Sequence, residues 1–132
     1  METTTTVYRH LAGPWGLYVR LTAGALTGPP PPDGVPVTDR LSLRVREPHA
    51  VEDDLAFLHE GLRHVAPAVT AAAGAGHVTV TVERFLYPLT DHQPEAMALA
   101  VLQWAAEHFG FPVPPSTVTF DRTANRYTVT LS

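Results

Sequence analysis

A histidine beside a carboxylate is the pairing in this sequence with the clearest capacity for acid–base chemistry. Asp91 and His92 are adjacent, just before a segment with helical spacing, and His108 lies near the end of that segment. An imidazole held by a carboxylate can act as a general base when a hydroxyl or a substrate lies within hydrogen-bonding distance. The structural alternative is that Asp91 or Gln93 caps the helix while His108 interacts with the carbonyl groups at its end. Asp91, His92 and His108 are therefore the catalytic candidates, without a reaction to assign to them.

Three further chemistry-bearing residues have a spacing close to that of a metal site. His59, Glu60 and His64 are spaced as H-E-x-x-x-H, one residue longer than the zinc-protease helix motif. At roughly 100° per residue, helix positions five apart point about 140° apart, so both rings cannot easily reach one ion. The spacing instead predicts an exposed pair between Glu60 and His64.

Other cofactor and nucleophile signatures are also missing from the sequence. The chain has no cysteine, which excludes disulfides, thiolate metal ligands and cysteine nucleophiles. It contains no phosphate-binding loop, no dinucleotide fingerprint and no serine nucleophile elbow. We therefore predict no metal and no cofactor, and enzymatic activity has no positive support in the sequence.

Arginine side chains form the most informative cluster for binding. Arg44 and Arg46 share the polar side of one strand-like segment, and Tyr18 and Arg20 share the polar side of another. Guanidinium groups on one sheet face can bind carboxylates, phosphates or an acidic partner bidentately. The alternative is a solvated face in which these arginines pair with Glu83 and other acids. The binding candidates are Tyr18, Arg20, Arg44 and Arg46.

Several large apolar residues exceed what a small core is expected to hold. They are Trp15, Phe57, Phe85, Leu86, Leu99, Leu102 and Trp104. Such an excess marks either a subunit interface, here a homodimer, or an apolar pocket for a small-molecule ligand. A core larger than expected is the competing explanation.

Length and composition are typical of a single soluble domain over residues 1–132. The chain is 45% hydrophobic and 17% charged, which is enough apolar material for one core. No apolar run approaches the roughly 20 residues of a membrane helix, and no signal-peptide pattern opens the chain, so we expect a cytoplasmic protein with no membrane partner.

The net charge of −4 and the lack of Lys disfavour nucleic acid as a partner. The lack of both Lys and Ile is typical of a GC-rich genome, such as that of an actinobacterium.

Hydrophobic periodicity predicts the element order β-β-β-α-β-α-β-β. The predicted strands cover residues 7–11, 15–22, 41–46, 78–87, 117–120 and 127–131, and the predicted helices cover 51–65 and 94–109. Residues 1–6 are expected to fray, residues 27–37 to form a proline-rich loop that cannot pair in a sheet, and Pro67 to end or kink the first helix. Two helices cannot cover both faces of so wide a sheet, so we predict a two-layer α+β sandwich with both helices on one face of a mostly antiparallel sheet.

Three stretches between Leu41 and Gly110 together resemble a known domain. They are a strand leading into a helix over residues 44–63, a strand over 76–87, and Asp91 followed by Glu95-Ala-Met-Ala98 at the start of an Ala-rich helix. This combination is similar to the fourth domain of elongation factor G, which has the ribosomal protein S5 domain 2-like fold. The resemblance implies a stand-alone translation-factor-like module that contacts the ribosome. The family's Gly-rich basic loop is replaced by Gly28 to Pro36, and no nucleotide-binding loop is present, so no GTPase activity is implied.

Three functions remain open from the sequence. The first is a non-catalytic binding or adaptor domain that recognises a protein partner, or a second copy of itself, through the arginine-bearing sheet face or the surplus apolar helix face. The second is a small enzyme or ligand carrier of specialised metabolism with a pocket between sheet and helices. The third is the translation-factor-like module that the resemblance implies.

Overall fold

Seven strands and two helices make up the fold, and the computed structural model describes all of residues 1–132. The main sheet contains β1 (Thr3–Leu11), β2 (Gly16–Thr27), β3 (Val35–Thr38), β4 (Leu41–Val45) and β5 (Val78–Leu86). The helices are α1 (Glu52–Ala73) and α2 (Ala96–Phe109), and β6 (Ser116–Asp121) and β7 (Arg126–Leu131) form a separate hairpin. Neither helix is long and apolar enough to cross a membrane.

The strand order β1-β2-β5-β4-β3 places β2 and β5 in the interior of the main sheet. All neighbouring strands are antiparallel except β4 and β5, which are parallel and joined by α1, because a parallel pair needs a crossover connection. Alternate residues of β2 and β5, such as Val19, Leu21 and Val80, are fully buried under the two helices. This arrangement confirms the predicted two-layer α+β sandwich with both helices on one face.

Helix α2 is enclosed on nearly all sides, which accounts for most of the apolar surplus. Leu99, Leu102 and Trp104 are each at most 2% exposed, and the indole nitrogen of Trp104 donates to the carbonyl of Thr4 at 3.2 Å. A helix that is apolar all round belongs in a core. The competing explanation of a larger core therefore holds for Leu99, Leu102 and Trp104. Leu86, at 64% exposure, is the strongly exposed member of the surplus.

The first residues of the chain belong to the sheet and do not fray as predicted. Residues 3–6 pair in register with residues 21–24 of β2. Thr6 also donates its hydroxyl to the Glu107 carboxylate on α2 at 2.5 Å. Because β-branched Thr suits an extended backbone and these hydrogen bonds tie the segment to both layers, β1 begins at Thr3.

Part of the proline-rich segment also pairs, in contrast to the prediction for residues 27–37. Val35 and Pro36 of β3 lie opposite Leu43 and Ser42 of β4. Since β3 is an edge strand, the missing amide hydrogen of Pro36 removes no hydrogen bond from the sheet interior. The loop itself is therefore confined to residues 28–34.

Helix α1 continues through Pro67 to Ala73, beyond the predicted end. Proline cannot donate to the carbonyl four residues earlier, which belongs to Arg63. Both Arg63 and Pro67 lie on the exposed side of the helix, where water can satisfy that carbonyl. The helix therefore tolerates Pro67 without ending there.

The C-terminal hairpin forms as predicted, but it does not join the main sheet. The side-chain amide of Gln93 holds β7, because it donates to the Tyr127 carbonyl at 2.6 Å and accepts from the Tyr127 amide at 2.8 Å. Phe120 of β6 packs edge-on against Trp15, with ring centroids 6.0 Å apart. The hairpin therefore joins the turn between β1 and β2 to the segment that precedes α2.

Candidate functional site

The sheet face that the helices leave uncovered, which we call the open face, carries three exposed arginines. Arg9, Arg20 and Arg84 lie on the adjacent strands β1, β2 and β5. The register sets Arg9 opposite Tyr18 and Arg84 opposite Thr22, with Arg20 between these two positions on β2. None of the three forms an ion pair. The arginines that do are Arg44, Arg46, Arg63 and Arg126. We call Arg9, Arg20 and Arg84 the open-face arginine cluster.

A β-bulge in β5 brings Arg84 to the open face, which the sequence pattern does not predict. Thr22 pairs with Arg84 but Ala23 pairs with Val82, so Glu83 is an extra residue without a partner on β2. A bulge of this kind shifts the alternation of side chains by one. As a result Arg84 and Leu86 point to the open face, whereas uninterrupted alternation from Val82 would have turned them towards the core.

Arg20 and Arg84 flank a pocket of about 320 Å³ on the open face. Its other walls include Leu86 and the carboxylate of Glu47. That carboxylate accepts hydrogen bonds from the backbone amides of His49 at 3.2 Å and Phe85 at 3.4 Å. Glu47 is therefore engaged by the backbone, and the two guanidiniums keep their donors for an external anion.

Arg9 is positioned by an aromatic ring. Its guanidinium carbon lies 5.6 Å from the centre of the Tyr18 ring, within the range of a cation–π contact. The sequence pattern indicates Tyr18 but not Arg9, since the register between the first two strands depends on the turn that joins them. The contact holds the Arg9 side chain on the open face.

Arg44 and Arg46, both predicted to belong to the binding surface, are engaged elsewhere. The Nη1 atom of Arg46 lies 3.7 Å from the Glu83 carboxylate. Arg44 donates from Nε to the Thr81 hydroxyl at 3.2 Å and lies 3.7 Å from Asp33. The predicted alternative of pairing with acids therefore holds for these two arginines and not for Arg20.

The catalytic candidate His92 pairs with Asp54 and not with the adjacent Asp91. Its Nε2 atom lies 3.7 Å from Oδ1 of Asp54, and its ring stacks on Tyr87 with centroids 3.4 Å apart. Oδ2 of Asp54 accepts from the Tyr87 hydroxyl at 3.0 Å and from the Val51 amide at 3.3 Å. Asp54 is one of three acids in the first turn of α1, and only the tertiary packing singles it out.

This Asp54–Tyr87–His92 cluster is closed to substrates. Both ring nitrogens of His92 are shielded from solvent and have no hydrogen-bond partner. Burial lowers the pKa of His92, although the charges of Asp54 and Glu95 act in the opposite direction. Burial, followed by the hydrogen bond to Asp54, raises the pKa of Tyr87 to about 12. The cluster therefore ties the start of α1 to the segment after β5, and it offers no general base to a bound ligand.

The burial of neutral His92 predicts a loss of stability in mild acid. In the unfolded chain His92 binds a proton as the pH falls through about 6.5. In the folded state its pKa is lower, so it binds the proton only at a lower pH. We expect the free energy of unfolding to fall as the pH drops below about 6.5 toward the lowered pKa, and His92→Phe to flatten this dependence. Urea unfolding across this pH range measures it, with His49→Phe, at an exposed histidine, as the matched control. An unchanged pH dependence in His92→Phe would contradict the assignment.

His108 lies at the other end of α2 from His92. Fourteen helical residues span about 20 Å, so the two histidines cannot share one site. Nδ1 of His108 lies 2.8 Å from the Thr4 hydroxyl, and its ring stacks on Trp104. Burial lowers the pKa of His108, while the Glu2 carboxylate opposes this shift. The three catalytic candidates are therefore not brought together.

The histidines of α1 have separate partners. Nε2 of His59 lies 3.0 Å from the Pro36 carbonyl, and Nε2 of His64 lies 2.6 Å from the Ser132 carbonyl. Glu60 pairs with Arg63 at 2.8 Å instead of with His64 as predicted, because a guanidinium is always charged and an imidazole is not. No group of three or more His, Asp or Glu side chains is placed to hold a metal ion.

No protein-family model matches the chain, and no curated protein does. The resemblance to the fourth domain of elongation factor G therefore stays a prediction.

Proposed function

We propose that this domain is a non-catalytic binding domain that recognises an acidic segment of a protein partner on its open face. The observation that carries the proposal is the open-face arginine cluster, in which three exposed guanidiniums lie on adjacent strands and none forms an ion pair. The whole chain has a net charge of −4, so this local cationic surface stands out from its surroundings. Bidentate hydrogen bonds to carboxylates are the interaction that such a surface makes best.

The composition of the face favours a protein over a nucleic acid. Tyr18 lies beneath Arg9, and the apolar side chains of Val7 and Leu86 are 37% and 64% exposed beside Arg20. Arginine and aromatic residues around exposed apolar groups are typical of protein interfaces. Nucleic-acid surfaces depend on a large positive potential, which a chain of net charge −4 without Lys does not supply.

A different protein fits this face better than a second copy of the chain. In a two-fold dimer built on the open face, the same patch of both copies would meet. An axis through the cluster would set the arginines of one copy against those of the other, and like charges at an interface are repulsive. A homodimer through this face is therefore disfavoured.

Charge reversal in the cluster tests the proposal. The probe is a fluorescently labelled peptide of alternating Glu and Leu, followed by anisotropy at low and moderate salt. We expect Arg20→Glu and Arg84→Glu each to weaken binding about tenfold, which corresponds to about 1.4 kcal/mol. The free energy of unfolding should stay within about 0.5 kcal/mol, because both side chains are exposed.

The matched control is Arg122→Glu, which makes the same change of net charge at an exposed residue in the turn between β6 and β7. If Arg122→Glu weakened peptide binding as much as Arg20→Glu does, binding would depend only on the net charge of the protein and the proposal would be wrong. Equal binding of a peptide with Lys in place of Glu would also contradict the proposal.

A further inference from the structure

The loop of residues 28–34 borders a second, smaller pocket at the far end of the open face. It has a volume of about 190 Å³. Strands β4 and β5 form its floor, and the loop prolines form part of its wall. We call it the Arg44 pocket, and the lining residues used below are Gly28, Pro29, Pro31, Arg44, Thr79 and Thr81.

Arg44 is a largely buried charge with few partners. Its side chain is 16% exposed, and its one hydrogen bond runs from Nε to the Thr81 hydroxyl at 3.2 Å. The nearest acid, Asp33, is 67% exposed and lies 3.7 Å from Nη1, which is too far for a hydrogen bond. A guanidinium has five N–H donors, and removing it from water is costly unless they are satisfied.

Two threonine hydroxyls face the same space. Thr79 and Thr81 are 5% and 1% exposed and lie on the same side of β5. Thr81 accepts from Arg44, which leaves its own proton free to donate, and the Thr79 hydroxyl has no partner within the chain. The pocket therefore gathers two hydroxyl donors and the terminal amino groups of one guanidinium.

We propose that the Arg44 pocket binds the carboxylate of a short-chain organic acid. The volume of about 190 Å³ equals roughly six water molecules at about 30 Å³ each, which suits an acid of a few carbon atoms. One guanidinium balances a single negative charge and matches a planar carboxylate bidentately. A phosphate dianion carries two negative charges and would need a second cation, which the pocket lining does not supply. The rings of Pro29 and Pro31 offer apolar contact to the acid's carbon chain.

The test uses butyrate as the probe and the neutral amide butyramide as its control. Arginine Nε–H signals are followed by ¹⁵N NMR during each titration. We expect a saturable shift of the Arg44 signal with a dissociation constant in the millimolar range for butyrate and none for butyramide. Thr79→Val, which keeps the guanidinium, should weaken butyrate binding several-fold, and Arg44→Met should abolish it.

Arg46→Met is the matched control, since Arg46 lies two residues from Arg44 and does not line the pocket. It should leave the butyrate affinity unchanged. A linear, non-saturating response of Arg44 would overturn the site, and tighter binding of inorganic phosphate than of butyrate would overturn the carboxylate assignment. Both outcomes are independent of the open-face arginine cluster, in which Arg20 and Arg84 line another pocket.

Discussion

Replacing Tyr127 with Phe should lower the free energy of unfolding by about 3 kcal/mol. The Tyr127 hydroxyl accepts from the backbone amides of Ala12 at 2.9 Å and Gly13 at 3.2 Å, and it donates to the carbonyl of Trp15 at 2.5 Å. Tyr127 is 1% exposed, and the three hydrogen bonds of its hydroxyl are partly buried. Each of the three hydrogen bonds that are lost contributes about 1 kcal/mol.

Urea unfolding of Tyr127→Phe beside Tyr18→Phe measures this effect. The Tyr18 hydroxyl makes no hydrogen bond within the chain and its side chain is partly exposed, so Tyr18→Phe should change the free energy of unfolding by less than about 0.5 kcal/mol. Equal stability of the two variants would show that the C-terminal hairpin is not held to the β1–β2 turn through this hydroxyl.

Replacing Gly61 with Ala should destabilise the protein by about 2 kcal/mol, even though Ala is the better helix former. A Cβ atom at Gly61 would lie 2.5 Å from the Ala98 carbonyl oxygen and 2.7 Å from a Val101 methyl group. The nearer of these two atoms belongs to the backbone of α2 and cannot rotate away, so α1 and α2 must move apart to make room. The cost of overpacking, about 3 kcal/mol, exceeds the gain of about 1 kcal/mol in helix propensity.

Urea unfolding of Gly61→Ala beside Gly110→Ala measures this loss of stability. The second variant separates the cost of packing from the cost of backbone conformation. Gly110 follows α2 with φ of 80°, and a Cβ atom there would meet nothing within 4 Å. Its cost, about 1 kcal/mol, comes only from the left-handed backbone. If Gly61→Ala were as stable as the wild type, the close approach of the two helices would be wrong.

Periodicity alone was sufficient to predict the helices, most strands and the layer arrangement. Val78, Val80 and Val82 alternate with Thr79 and Thr81, and the structure buries the three valines under the helices as alternation requires. The predictions are wrong where contacts with residues distant in the chain override the local preference of the sequence. Pro36 pairs because β3 is at the sheet edge, and β1 begins at Thr3 because α2 and β2 supply hydrogen-bond partners.

The candidate site was only partly predictable for the same reason. Tyr18 and Arg20 were found because they lie on an uninterrupted strand, whereas the bulge at Glu83 hid Arg84. The partner of His92 was missed because Asp54 lies far from it in the chain and comes close only through packing. Residue type and spacing identified the chemistry, but register and tertiary contact decided which residues share a surface.

A spin-labelled peptide of alternating Glu and Leu tests the central claim most directly, because its nitroxide broadens NMR signals of the surface to which it binds. We expect the amide signals of Arg9, Arg20 and Arg84 on β1, β2 and β5 to broaden first, while exposed residues of α1 such as Arg63 keep their line widths. Broadening centred on α1 or on the β6–β7 hairpin, with the open face unaffected, would contradict recognition through the open-face arginine cluster.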